Sequence, residues 1–309
     1  MANLFKSFST WIIIGVIAAI LPLIFDSSFA LTLLSKMGVL IIFTVAYNML
    51  LGQGGMLSFG HAIYFGLAGY ASIHIMNGIG AETLPYFPTV LFPLIGAVVG
   101  LFFGCLVGYV STRRAGTAFA MISLGFGEMV TAMTLIFVLF FNGEDGIQTD
   151  RMVGPEPFGI TFGPQIEIYY LILFWCVITV ALMYIITKTP FGRMSNAVRD
   201  NPERAAFIGY SVRRVRWQAF ALSSMFAGAA GSLHALNYEH IGFESVSVIQ
   251  SGAVLFMAFI GGAGHFLGPI VGAIGLTYLD STLADYTEAW LLYLGLTFSG
   301  IVMFAPGGL

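Results

Sequence analysis

The sequence predicts an all-α integral membrane protein, a polytopic bundle of about ten transmembrane helices. Hydrophobic residues make up 58% of the 309 residues, whereas charged residues make up only 9%. A soluble domain carries about 25% charged residues, so this chain has too few polar side chains to cover a water-facing surface. The apolar segments are long and continuous and do not alternate in twos, which excludes an outer-membrane barrel and leaves a helical bundle.

Ten apolar segments, separated by glycine, proline and charged residues, are predicted to span the bilayer. They lie at about residues 11–25, 29–51, 58–79, 88–110, 116–141, 168–187, 218–238, 247–263, 267–283 and 288–305. The first segment also fits a cleavable signal peptide, because a short apolar run behind Lys6 ends near a small-x-small motif at residues 28–30. Both interpretations of that segment stay open.

The basic residues predict the orientation of the bundle. If the N-terminus is cytoplasmic, ten of the twelve lysines and arginines face the cytoplasm, as cationic loops resist translocation. These ten are Lys6, Arg113, Arg114, Lys188, Arg193, Arg199, Arg204, Arg213, Arg214 and Arg216. An even number of spans then places both termini in the cytoplasm, and segment 142–167 becomes the largest external loop. The sequence has no basic patch of the kind that binds nucleic acid.

The longest inner loop, residues 188–216, contains signals for a short helix outside the bilayer. The TPFG sequence at 189–192 is predicted to end the preceding span. Asn201 is a good N-cap, Pro202 suits the first helical position and Glu203 suits the positive end of the helix dipole. Gly209 can end the helix, which is predicted at about 202–208. The loop is either a solvated segment that sets orientation or a docking surface for a cytoplasmic partner.

Short motifs, several of them within this loop, follow one another along the chain in a characteristic order. They are LGQ at 51–53, LSFGHA at 57–62, GFGE at 125–128, TPFGR at 189–193, AVRDN at 197–201, AA at 205–206, AFALS at 219–223, AGAAG at 227–231, GGAG at 261–264, GP at 268–269 and FAPGGL at 304–309. From about residue 39 to its end, the chain resembles the LivM-type permease subunits of branched-chain amino acid ABC importers. Members of that family also carry urea, short amides and other small organic solutes.

The resemblance implies a bacterial inner-membrane subunit with a type II importer architecture, similar to that of the vitamin B12 importer. All 309 residues would form one permease domain, which pairs with a homologous second permease. Two cytoplasmic ATPase subunits would bind ATP and magnesium, and a periplasmic binding protein would deliver the small solute. This chain itself would need no cofactor. Loop 188–216 would couple it to the ATPases.

The coupling residues follow from a match to the Glu-Ala-Ala…Gly loop of importer permeases. Arg204 departs from the pattern at its second position. The residues that the resemblance assigns to ATPase coupling are Arg199, Asp200, Asn201, Glu203, Arg204, Ala205, Ala206 and Gly209.

The sequence contains no signature of catalysis. A phosphate-binding P-loop needs a lysine after glycine, and none of Lys6, Lys36 and Lys188 follows one. The chain has no HExxH motif, nucleophile elbow or Cys/His metal set, and Cys105 and Cys176 fall within apolar runs. The glycines at 262–268 have the wrong spacing for a dinucleotide loop and predict a tight inner turn. We therefore predict neither a catalytic residue nor a metal ligand.

Polar residues at membrane depth are the candidates for a translocation pathway, because each needs a partner or a water-filled cavity. They are Asn48, Gln53, Ser58, His61 and Glu128. Residues 53–58 interrupt the hydrophobic pattern and form either a broken helix or a plain turn. Glu128, taken as the one acidic residue inside a span, is either a tie between helices or a pathway group. An ion-coupled secondary carrier that uses Glu128 is the alternative function, and a passive channel or a scaffold is a third.

Glycines at a spacing of four residues predict close helix packing. One ridge comprises Gly96, Gly100, Gly104 and Gly108, and a second comprises Gly264, Gly268 and Gly272. The sequence does not identify the helix that meets either ridge.

Overall fold

The computed structural model describes residues 15–25, 27–152, 161–286 and 289–304, which are almost entirely helical. The α-helices are α1 (Gly15–Ile24), α2 (Ser28–Asn48), α3 (Ala62–Gly80), α4 (Phe92–Ser111), α5 (Thr117–Ile136), α6 (Val138–Phe141), α7 (Gln165–Lys188), α8 (Pro190–Asp200), α9 (Pro202–Phe207), α10 (Val212–Tyr238), α11 (Val248–Gly261), α12 (Gly268–Tyr286) and α13 (Trp290–Phe304). A π-helix (Met49–Gln53) extends α2, and 3₁₀ turns (Thr89–Leu91 and Phe243–Val246) precede α4 and α11. Strands β1 (Ile147–Gln148) and β2 (His240–Ile241) form an antiparallel pair.

Each of the ten apolar segments contains a helix, so the all-α prediction is confirmed. Within the described residues, five helices are long and apolar enough to cross a membrane. They are Ser28–Gln53, Thr89–Ser111, Thr117–Ile136, Gln165–Lys188 and Val212–Tyr238. Residues 11–14 of the first segment, residues 153–160 of the external loop and the end of the terminal motif at 305–309 lie outside the described residues. The signal-peptide hypothesis therefore stays a prediction.

Helix α10 lies at the centre of the bundle, where it packs against α2, α3 and α4. In the most apolar 18-residue stretch of α10, 83% of the residues are buried, whereas the corresponding share is 33% for α4 and for α7. The middle of α10 is rich in alanine, glycine and serine, whose small side chains let neighbouring backbones approach closely. Helices α11 and α12 pack against each other and against α2.

The first glycine ridge packs against α10, which identifies the helix that the sequence left open. A Cβ atom added to Gly96 would overlap the carbonyl oxygen of Gly228, and one added to Gly100 would overlap that of Ser224. Gly104 and Gly108 continue the contact along the same helix. The prediction of close packing is confirmed, because a methyl group at Gly96 or Gly100 would force the two backbones apart.

The second ridge differs from the prediction. Gly268 and Gly272 of α12 pack against the backbone of Gly261 and Met257 in α11. Gly264 lies in open space in the turn that joins these helices, so its assignment to the ridge was wrong. The glycines at 262–268 do form a turn, and Gly262 has a φ of +92°, which a residue without a side chain adopts easily.

Two arginines show which helix ends lie together. The guanidinium carbons of Arg113, after α4, and Arg213, at the start of α10, lie 4.7 and 5.0 Å from the ring centroid of Tyr109. The two basic segments therefore share one end of the bundle, as the count of spans predicts.

Arg151 organises the opposite end of the bundle. Its guanidinium donates hydrogen bonds to the carbonyl oxygens of Leu236 and Asn237 in the last turn of α10, at 3.3 Å each. It also donates to the carbonyls of Phe162 at 2.6 Å and Gly163 at 2.7 Å, just before α7. Carbonyls in the last turn of a helix lack intrahelical partners, so this buried side chain joins the loop after α6 to the start of α7 and the end of α10.

An ion pair links α2 to α12 within the bundle. Lys36 Nζ lies 3.0 Å from Asp280 Oδ2, and both side chains are partly buried. The view of Glu128 as the one acidic residue inside a span was wrong, because Asp280 lies within α12. Burial of one charge beside its opposite is less costly than burial of either alone.

Candidate translocation and coupling site

The helix formed by α2 and its π-helical extension ends inside the protein. Residues 54–61 are not helical, and α3 begins at Ala62. Met56, Ser58 and His61 in this connection are buried. We call residues 49–61 the break. It is an interruption enclosed by neighbouring helices, which favours the broken helix over a plain surface turn.

Neighbouring helices satisfy the backbone of the break. The Phe59 amide donates to Ser123 Oγ of α5 at 3.1 Å, and the Ala62 amide donates to Ser251 Oγ of α11 at 2.9 Å. The Tyr47 hydroxyl of α2 donates to the carbonyl of Ser58 at 2.9 Å. Non-helical backbone is tolerated at membrane depth only when protein or water supplies such partners.

His61 is fully buried and joins α3 to α2 and α10. The Ser223 hydroxyl of α10 donates to the carbonyl of Ala46 at 2.5 Å, and His61 Nε2 lies 3.0 Å from the same hydroxyl oxygen. Because the hydroxyl hydrogen is already used, Nε2 carries the hydrogen and donates to Ser223. Four rings surround the imidazole, those of Phe43, Tyr47, Tyr64 and Phe220. His61 Nε2 therefore links α3 to α10, whereas the buried Nδ1 has no hydrogen-bond partner among the described residues.

The other polar residues in or beside the break differ in burial and in hydrogen bonding. Asn48 and Ser58 are buried, and within the described residues Asn48 Oδ1 and Ser58 Oγ have no hydrogen-bond partner. The Gln53 side chain is half-buried, and its carbonyl accepts a hydrogen bond from Ser195 Oγ at 3.4 Å. Buried oxygens without partners therefore lie both in the break, at Ser58, and directly before it, at Asn48.

Glu128 lies beside the break but points away from it. The preceding residue, Gly127, packs against the break, since a Cβ added there would lie 3.4 Å from the Cα of Gly60. Glu128 itself is exposed on the outward face of α5. The proposed tie between helices is therefore not present within the described part of this chain.

The predicted short helix of the inner loop is confirmed. Helix α9 covers Pro202–Phe207, and the Asn201 side chain accepts a hydrogen bond from the Arg204 amide at 2.8 Å. Gly209 ends the turn with a φ of +99°. Asn201 and Gly209 therefore delimit the helix as their residue types predict.

The sequence prediction for the start of this loop was incomplete. Residues 189–192 end α7, but Pro190 also opens α8, a helix that was not predicted. The signal for it is the spacing of Gly192, Ser195 and Val198, which are buried on one face of α8. Two of these three buried residues, Gly192 and Ser195, are not large apolar residues, so the amphipathic pattern is too weak to stand out in the sequence.

A small core joins α8 and α9, together called the α8–α9 unit, to the start of α10. Val198, Ala205 and Val215 are buried together, one from each helix. At the end of this unit, Phe207 and Ile208 are 91% and 70% exposed. These two residues form an exposed apolar pair outside the long apolar helices.

Arg199 faces the break, although the resemblance assigned it to ATPase coupling. Its Nη1 donates a hydrogen bond to the carbonyl of Gly52 at the end of the π-helix. Asp200 Oδ1 lies 2.8 Å from its Nη2. The side chain is 38% exposed. Arg199 thus connects the end of α8 to the break.

Comparison with known proteins identifies the family. Residues 29–306 match the family described as branched-chain amino acid transport system / permease component. The chain belongs to this family of ABC transporter permeases. No solved structure matches the chain.

Several characterised permeases resemble the chain at the sequence level. The high-affinity branched-chain amino acid transport system permease protein LivM of Escherichia coli is 28% identical over 87% of this chain and 67% of its own length. The autoinducer 2 import system permease protein LsrC of Klebsiella pneumoniae is 29% identical over 63% of this chain and 55% of its own length. The fructose import permease protein FrcC of Rhizobium meliloti is 24% identical over 64% of this chain and 58% of its own length.

In this permease, the structure groups the predicted site residues into two neighbouring sets. Asn48, Gln53, Ser58 and His61 lie in or beside the break, whereas the residues predicted at 199–209 lie at the end of α8, in α9 and just after it. Glu128 faces outward and belongs to neither set. The contact between Arg199 and Gly52 joins the two sets. Among the described residues, no cluster of three or more His, Cys, Asp or Glu side chains could hold a metal ion.

Proposed function

We propose that the chain is the transmembrane permease subunit of an ATP-binding cassette importer in a bacterial inner membrane. It pairs with a homologous second permease to form the pathway for a small solute delivered by a periplasmic binding protein. Two ATPase subunits bind ATP with magnesium and supply the energy, and this chain hydrolyses no ATP. The family match supports the general function, and the surface of α5 supports the two-permease pathway.

The exposed carboxylate of Glu128 is the observation that carries the proposal. Glu128 lies in α5, which is long and apolar enough to cross a membrane, and its side chain is exposed on the chain alone. A charged side chain in contact with lipid at this depth costs about 2.5–3.5 kcal/mol on insertion scales. A second permease or a water-filled pathway against this face removes that cost.

The outward face of α5 differs from the outward face of α4. Helix α4 exposes Val98, Phe102 and Leu106, which are typical of a surface in contact with lipid tails. Helix α5 exposes large apolar side chains as well, among them Met121 and Met129, but one turn to either side of Glu128 it exposes only Gly125 and Ala132. These small residues allow another backbone to approach closely, so the α5 face suits a contact with the second permease.

The complete permease has about ten spans in a single domain of type II importer architecture, with both termini in the cytoplasm. Two observations support this topology: each predicted segment contains a helix, and Arg113 and Arg213 meet at one ring. The positive-inside rule makes that end cytoplasmic. The sheet of β1 and β2 then lies on the periplasmic side.

The segment at 188–216 couples the permease to an ATPase subunit. Asn201 and Gly209 delimit α9, whereas Glu203, Arg204 and Ala206 are exposed for contact. Ala205 packs inside the unit, so the apolar part of the contact comes from Phe207 and Ile208. A cleft in the ATPase would hold this tip, and movement of the ATPase would move the α8–α9 unit.

The solute is a branched-chain amino acid or a related amino acid, amide or urea-like compound. The similarity to LivM supports this class. Other relatives are permeases for autoinducer 2, fructose and guanosine. Such varied cargo on one permease fold is explained if the binding protein makes most of the selection.

Reconstitution in lipid vesicles tests the function. The chain, a second permease, the ATPase subunits and a binding protein should together give solute uptake that requires ATP. Uptake driven by an ion gradient without ATPase subunits would instead establish the secondary carrier. Glu128→Ala should impair uptake while the complex still assembles, and Glu144→Gln, at an exposed carboxylate in the turn before β1, is the matched control. Unchanged uptake with Glu128→Ala would reject the pathway role.

A further inference from the structure

Side chains of α8 cap the end of the broken helix. Arg199 Nη1 donates to the carbonyl of Gly52, and Ser195 Oγ donates to the carbonyl of Gln53 at 3.4 Å. Carbonyls at a helix end have no intrahelical partner, so they need donors from elsewhere. The negative end of the helix dipole also favours a guanidinium at this position. The amides of Gly55 and Met56 cap the carbonyls of Leu51 and Leu50 locally, whereas the last two carbonyls of the π-helix are capped from α8.

The guanidinium of Arg199 is held in place from two sides. Asp200 Oδ1 accepts from Nε at 2.9 Å and lies 2.8 Å from Nη2. The backbone of Gly55 approaches the aliphatic part of the side chain, where an added Cβ would lie only 2.7 Å from Arg199 Cγ. Gly55 also has a φ of +62°, which favours glycine. The contact is thus a fitted arrangement between α8 and the break.

The same α8 is attached firmly to α9. Only Asn201 separates the two helices, and Val198 packs with Ala205 and Val215 in a shared buried cluster. A movement of α9 must therefore move α8. Because Arg199 lies at the end of α8, that movement reaches the carbonyl of Gly52 directly.

We propose that Arg199 is the positioning residue that transmits movement of the α8–α9 unit to the break. This inference rests on the proposed function, since it assumes that an ATPase subunit moves α9. Displacement of α8 carries the end of the π-helix with it and shifts the polar atoms of Asn48 and Ser58. Arg199 does not itself contact the ATPase or the solute in this scheme.

The first test measures solute imported per ATP hydrolysed by the complete complex in vesicles. Arg199→Gln removes the charged donor, and the ratio should fall by about two- to thirty-fold, the range of coupling changes caused by single mutations. Arg199→Lys keeps a cationic donor and should recover part of the ratio. Arg193→Gln, at an exposed arginine on the same helix, is the matched control and should keep the wild-type ratio. Co-purification of the ATPase subunits checks that each variant assembles.

The second test replaces the contact with a covalent bond. An ideal Cβ on Gly55 lies 3.5 Å from Arg199 Cβ, within the range of about 3.5–4.5 Å for disulfides. The double variant Gly55→Cys/Arg199→Cys is made in a background without Cys105 and Cys176. In its reduced form it should be uncoupled, like Arg199→Gln. Oxidation with copper phenanthroline should restore the ratio, because α8 and the break then move together again.

The outcomes separate the inference from the function on which it rests. A wild-type complex that imports nothing with ATP would overturn both. Wild-type import with an unchanged ratio in Arg199→Gln would overturn the role of Arg199 alone. Equal ratios for the reduced and oxidised double variant would likewise overturn it. A lower ratio in Arg199→Gln together with recovery on oxidation would support it, because a purely structural defect would not respond to the new bond.

Discussion

Gly228 of α10 lies so close to Gly96 of α4 that a Cβ atom on either residue would overlap the other helix. This contact is part of the largest helix interface in the described structure, between the central helix and the helix with the most regular glycine spacing. Because neither glycine has a side chain, the backbones of α4 and α10 come into direct contact here. This contact therefore fixes the position of α4 on α10.

Gly228→Ala should destabilise the permease. The added methyl group would overlap the carbonyl of Gly96, and overpacking of this kind costs about 1–3 kcal/mol. Thermal unfolding in detergent, followed by tryptophan fluorescence, measures the loss. Gly275→Ala is the control, because a Cβ added at that helical glycine meets nothing within 4 Å. Equal unfolding midpoints for the two variants would show that the α4–α10 contact tolerates the added methyl group.

Ser223→Ala should also lower the stability of the protein, with no separate effect on solute uptake. The hydroxyl donates to the carbonyl of Ala46 and accepts from His61 Nε2, so its removal leaves a buried imidazole donor unpaired, at a cost of about 1–3 kcal/mol. Thermal unfolding and uptake are measured on the same preparations. Ser299→Ala, at an exposed hydroxyl of α13, should leave both unchanged. Lost uptake with intact stability would instead place His61 in the pathway.

Arg151→Gln should loosen the external end of the bundle. The variant removes most of the hydrogen bonds that join the loop before residue 153 to the end of α10 and to Phe162. Charged hydrogen bonds contribute about 1.5–3 kcal/mol each when buried. Limited proteolysis from the outside of sealed vesicles should cut this loop faster in the variant. Arg214→Gln, at an exposed arginine of α10, should be cut at the wild-type rate, and equal rates for all three proteins would refute the assignment.

The positions of the helices could be predicted because hydrophobicity alone determines where a chain enters lipid. The predicted span at 168–187 and the observed helix Gln165–Lys188 differ by only a few residues. The cap at Asn201 was equally predictable, since it depends on residues adjacent in sequence. Helix α8 was missed because its short apolar face lies among arginines.

The environments of the polar residues could not be predicted, because they depend on which face of a helix meets which neighbour. His61 and Glu128 both read as polar residues at membrane depth, yet one is enclosed by aromatic rings and the other is exposed. The partner of Arg199 is distant in sequence, at Gly52. No local pattern encodes such a contact.

Phe207→Ala/Ile208→Ala should weaken the association with the ATPase. Both side chains are largely exposed at the end of α9, and loss of their contact should lower the amount of ATPase that co-purifies. Leu139→Ala is the control, since this exposed leucine lies at the end of the bundle near β1. Undiminished co-purification with the double variant would move the docking surface elsewhere on the loop.

Photo-crosslinking from position 207 in intact cells tests the central claim most directly. A photoreactive amino acid is placed at Phe207 in one variant and at Leu139 in another, and adducts are identified by mass spectrometry. The account predicts an adduct with the ATPase subunit from position 207 and none from position 139. An adduct between position 207 and a periplasmic protein, or no adduct with the ATPase, would contradict it.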